Sequence, residues 1–76
     1  MKNITVGNFN ILVTSGAISN LAIEPLEGKW ILRFRVGIEE AILHTQKGEI
    51  RTFTKVDTLI AFLVEAGVSG ATIKFN

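Results

Sequence analysis

WILRFRVGIEEAIL, residues 30–43, decides the fold. Trp30, Leu32, Phe34 and Val36 alternate with Ile31, Arg33 and Arg35, the period of a half-buried strand. Exposing the first set would forfeit ~2 kcal/mol per large side chain. That set is therefore expected to face the core, and the two arginines to point away from it. A two-residue reversal at Gly37-Ile38 would set Arg35 opposite Glu40 and Phe34 opposite Ala41, both sensible cross-strand pairs. The returning strand, 40–45, then places Ala41 and Leu43 inward and Glu40, Ile42 and His44 outward.

Beyond it, Gln46-Lys47-Gly48 is the next reversal. A two-residue turn at Lys47-Gly48 would leave Phe53 on the arginine face. A three-residue turn with Gly48 left-handed in a bulge would bury Phe53 beside Ala41 and Phe34. The second is preferred, because it buries the larger residue and uses glycine where a positive φ is needed. A helix is expected over 58–66, with Asp57 as N-cap, Val56 stapled to the first turn and Gly67 as the left-handed terminator. Leu59, Ile60, Phe62, Leu63, Val64 and Ala66 make it apolar over more than one face, so sheet and partner subunit could cover different sides. Residues 71–75 form a last strand with Ala71, Ile73 and Phe75 inward.

Toward the N-terminus, residues 2–6 read as a strand and Gly7-Asn8 as a turn. Phe9, Ile11 and Val13 alternate as a second strand, ended by Thr14-Ser15-Gly16. Residues 19–25 form a third, which Pro25 marks as a strand end or an edge, and Leu26 to Lys29 a hairpin turn. The expected fold is α+β, a single domain over 1–76. It has a β-rich N-terminal half and an antiparallel sheet of five or six strands, with one short helix packed on one face.

Composition narrows the function classes. A chain of 76 residues with 47% hydrophobic content either packs efficiently or hides apolar surface against a second subunit, and a homodimer is expected. The absence of cysteine excludes disulfides and Cys-based zinc sites and fits a reducing, cytoplasmic setting. Lys2 is followed by no continuous apolar run, so no signal peptide is expected. The run from Leu59 to Val64 is too short to span a membrane. Asn3-Ile4-Thr5 matches a glycosylation acceptor by chance. His44 has no identifiable orienting partner and reads as a strand residue on a solvated face. Glu39 and Glu40 are adjacent and face opposite sides of a strand. Ser15-Gly16 and Ser69-Gly70 are turn dipeptides. A non-enzymatic protein is expected, with no catalytic residue, metal, cofactor or small-molecule ligand.

Charge is more suggestive. Lys29, Arg33, Arg35, Lys47, Arg51 and Lys55 stand against Glu39, Glu40 and Glu49 between residues 29 and 55, in a chain of net charge +1. Arg33 and Arg35, sharing a sheet face with Ile31, Ile42 and His44, could follow a phosphate backbone. The competing account is an ordinary solvated face whose arginines pair with glutamates.

The stretch WILRFRVG…LHTQKGEIRTFTKVDTLIAFLVEAGVSGATIKF resembles small plasmid-borne partition-associated proteins. The pattern is a bulky strand, a Gly-Glu hairpin and an aromatic before a short link to a helix. That helix ends near Ala66-Gly67-Val68, and a last strand follows. The resemblance covers about residues 29–75 and implies a dimeric protein acting near plasmid DNA in maintenance or partition; no functional residues are carried over from it. The expected function is weak DNA binding through Arg33, Arg35, Lys47, Arg51 and Lys55. The alternative is a protein-interaction or dimerisation module without nucleic-acid contact, working through the exposed side of the helix.

Overall fold

The computed structural model describes residues 1–75. In chain order its elements are β1 (Lys2–Thr5), α1 (Val6–Thr14), β2 (Ile18–Leu26), β3 (Lys29–Val36), β4 (Glu39–His44), α2 (Val56–Ala66) and β5 (Thr72–Ile73). The architecture is α+β, with a five-stranded sheet in the order β1-β4-β3-β2-β5 and two helices.

The alternation in β3 acts as expected. Leu32 and Phe34 are fully buried, and β3 pairs with β4 so that Phe34 meets Ala41 and Arg35 meets Glu40. β2, β3 and β4 form an antiparallel meander, but both outer strands join in parallel, β1 on β4 and β5 on β2. The sheet is thus mixed rather than antiparallel. A parallel neighbour needs a crossover, and α1 and α2 each lie on a chain segment that makes one.

The main correction is α1. Residues 8–13, read as a strand from the alternation of Phe9, Ile11 and Val13, belong to a helix. Val6, Phe9 and Val13 also satisfy the spacing of one helix face, and in that register Phe9 is fully buried while Ile11 is exposed. Thr5 caps the helix by accepting from the Asn8 amide at 3.4 Å. Ile4 and Phe9 stand at the positions of a hydrophobic staple around that cap.

α2 spans 56–66 rather than 58–66. Lys55 occupies the N-cap without a side-chain bond, and Asp57 lies inside the first turn instead of capping it. There its carboxylate faces the positive end of the helix dipole.

Between these elements the chain wedges into the sheet. Residues 45–49 form the three-residue reversal, with the Gly48 amide bonded to the Thr45 carbonyl at 3.0 Å and Gly48 at φ +90°. Ile50 then bridges His44, the Arg51 amide bonds the Leu43 carbonyl at 2.9 Å, and Phe53 exchanges two 2.8 Å bonds with Trp30. The segment leaves β4 for the splayed start of β3, and Phe53 is buried.

Four of the five phenylalanines meet on the helix side of the sheet. The Phe9 ring stands edge-on to Phe34 at 5.1 Å and stacks on Phe62 at 5.5 Å, and Phe62 lies 5.8 Å from Phe53. Both helices, β3 and the wedge segment therefore share one aromatic cluster, closed by Ile23, Leu32, Leu43, Leu59 and Leu63.

Candidate functional site

The five basic residues do not share a surface. Arg33 and Arg35 occupy the face of the sheet away from the helices, as their register requires. Arg33 is held there: its Nε donates to Glu24 Oε1 at 3.1 Å and its Nη1 lies 3.7 Å from the Met1 sulfur. The other Glu24 oxygen is 3.5 Å from Lys74 Nζ. The pairing explains this, since Glu24 faces Ile31 and Ala22 faces Arg33, which sets Glu24 diagonal to Arg33 on one face. Arg35 is exposed, with Glu40 directly opposite. The competing account of this face therefore describes Arg33, whose charge is matched by Glu24.

Arg51 lies on the other side. The three-residue turn that directs Phe53 into the core directs Arg51, two residues earlier on an extended segment, to that same side. Its guanidinium sits over the Phe53 ring, 4.1 Å from the centroid, and its Nη1 donates to the Thr52 carbonyl. Lys55 is at the start of α2, and with Arg51 it lines a shallow depression completed by Thr52, Phe53, Thr54 and Thr58. Lys47 stands exposed at the tip of the 45–49 turn. Thus only Arg33 with Arg35, and Arg51 with Lys55, are brought together.

His44 differs from the solvated residue read from sequence. It is 7% exposed, and its Nδ1 lies 2.7 Å from the Ile42 carbonyl, which makes Nδ1 the donor. It is flanked on both sides, by Thr5 of β1 and by Ile50 of the wedge segment. Among the described residues no cluster of three or more histidine or acidic side chains could hold a metal. No helix of the described residues is long and apolar enough to cross a membrane.

The surface that sequence reasoning only half found is the α2–β5 edge. Ile73 and Phe75 were expected inside, yet Ile73 is 37% and Phe75 83% exposed. They fall on the helix side, but β5 is the outermost strand. Ile60 and Val64 on α2 are also exposed, Val64 by 66%. Between α2 and β5 runs a mostly apolar groove of about 200 Å³, lined by Ile23, Ile60, Leu63, Val64, residues 68–71 and Ile73. None of its lining residues is charged.

No protein-family model matches the chain, and no curated protein matches it.

Proposed function

We propose that this chain is a non-enzymatic protein-interaction module whose working surface is the uncharged edge built by α2 and β5. The observation that carries the reading is the groove itself. In a chain where one residue in five is charged, no residue lining it bears a charge, and Val64 and Phe75 project around it into solvent. A role in the maintenance or partition of a plasmid or mobile element rests on the resemblance of residues 29–75 alone. A photo-crosslinking residue at Val64 in cells expressing the chain tests the reading, with the same residue at Arg35 as control. Adducts from Val64 that form regardless of salt are expected. Their absence removes the proposal.

A second reading, weak binding to the DNA backbone, is favoured by one observation: Arg51 and Lys55 converge with three threonines at the start of α2. Fluorescence anisotropy with duplex DNA at two salt concentrations addresses it. Each phosphate contact removed by Lys47→Glu or Lys55→Glu should lower the slope of log affinity against log salt by about 0.9. Arg33 is unsuited to this test, because Arg33→Glu would oppose the Glu24 carboxylate. Binding absent at both salts, or unchanged by the variants, excludes backbone contact by these residues.

A further inference from the structure

We infer that the partner at the α2–β5 edge is a second copy of this chain, joined about a two-fold axis by antiparallel pairing of residues 71–75. The inference rests on the interaction-module reading and specifies its occupant.

Main-chain geometry comes first. The Lys74 amide donates to the Ile23 carbonyl at 2.8 Å, which ties residue 74 to β2. Amides alternate in direction along an extended strand, so Ile73 and Phe75 turn theirs outward. Among the described residues β5 is therefore a free edge. Such edges are commonly guarded by a lysine. Here the strand's lysine is drawn to Glu24 on the opposite face, which leaves the helix side of the edge uncharged.

The side chains then indicate what the edge pairs with. Antiparallel pairing with Ile73 opposite its own copy sets Phe75 opposite Ala71 of the second chain, and Ala71 opposite its Phe75. Small, medium and large residues at 71, 73 and 75 form a sequence that complements itself when reversed. Ala71 lines the groove, so the incoming phenylalanine arrives at its mouth. A two-fold contact demands that a patch face itself, which an uncharged apolar patch does without like-charge repulsion. Among the described residues, Phe75 is also the phenylalanine that stands outside the aromatic cluster of Phe9, Phe34, Phe53 and Phe62.

Area agrees. The chain exposes 4872 Å², roughly 300 Å² more than expected for a folded monomer of its mass. Ile60, Val64, Ile73 and Phe75 expose on the order of 450 Å² between them, the size of the largest apolar patch on a typical monomer, which is often a functional surface. That is somewhat over half of the roughly 800 Å² per partner of a standard interface, which sets the expectation of a reversible, concentration-dependent dimer. The product is one continuous ten-stranded sheet, with the α2 helices of both copies on the same side.

Light scattering on the purified chain should return about twice the 8.3 kDa chain mass. Phe75→Glu and Val64→Lys, both at exposed positions, should each weaken association by about tenfold or more and leave the circular dichroism spectrum unchanged. Because the chain has no cysteine, Ile73→Cys offers a specific readout. Residues paired in this register lie ~5.5 Å apart at Cα, within disulfide reach. Oxidation should therefore cross-link Ile73→Cys much more readily than Thr72→Cys. A monomer at all concentrations overturns the second-copy inference, as does a dimer indifferent to Phe75→Glu that fails to cross-link through Ile73→Cys. Adducts from Val64 with another protein would in that event preserve the interaction module, whereas their absence would remove it too.

Discussion

The two helices of this protein end in the same way and begin in different ways. In α1 the Gly16 amide bonds Val13 at 3.0 Å and the Ala17 amide bonds Leu12 at 2.9 Å. In α2 the Gly67 amide bonds Val64 at 3.1 Å and the Val68 amide bonds Leu63 at 3.0 Å. Both are Schellman closures around a left-handed glycine. At their starts, α1 has a threonine cap and no acid, whereas α2 has an acid and no side-chain cap. They also differ in what they bury: Phe9 alone in α1, Leu59 and Leu63 in α2. Local stop signals are thus shared, while the helix with a single buried residue depends more heavily on one tertiary contact.

The largest expected effect breaks this comparison at its centre. Phe9→Ala should cost about 3–5 kcal/mol in denaturant unfolding, since Phe9 is fully buried and touches two aromatic rings. Leu59→Ala should cost about 2–5 kcal/mol. A Phe9→Ala loss below that of an ordinary surface substitution would mean that α1 does not dock as described.

The helix ends provide a control. A Cβ at Gly16 or Gly67 meets nothing within 4 Å, so alanine at either position pays only for its left-handed backbone, roughly 1–2 kcal/mol. Thermal melts of Gly16→Ala and Gly67→Ala should show similar losses, and a clear gap between them would show that the two closures are unequal. The starts should respond in opposite directions. Thr5→Ala should destabilise by about 0.5–1 kcal/mol, given its long 3.4 Å bond, while Lys55→Ser should stabilise by a similar amount by supplying the missing cap. Smallest is Asp57→Asn, which should cost about 0.3–1 kcal/mol through the helix dipole alone, with the loss shrinking as salt is raised.

The same contrast explains what could be read from the chain. The β3–β4 register was legible because alternation and a two-residue turn agree there. The burial of Phe53 and the role of Gly67 followed from one glycine each. α1 was hidden because Phe9, Ile11 and Val13 fit period two as well as Val6, Phe9 and Val13 fit the helix, and only the docking of Phe9 separates them. Proximity in sequence groups the basic residues, yet the turn that buries Phe53 also turns Arg51 away from Arg33. Ile73 and Phe75 alternate like core residues, and nothing local signals that their strand is outermost. His44 is flanked by Thr5 of β1 and by Ile50 six residues later, and alternation within β4 signals neither neighbour.

The parallel placement of both outer strands bears on how the chain assembles as it is made. β2, β3 and β4 can zip together through short turns as soon as they emerge. β1 is synthesised first but has no partner until residues 41–44 exist. β5 arrives last and must reach back to residues 22–23. Contacts so distant in sequence carry the entropy of closing long loops, so both edges are expected to join after the central meander. In pulse-labelling during refolding, the amides of β3 and β4 should gain protection before those of the two ends, leaving the edge at residues 71–75 among the last parts to acquire its shape.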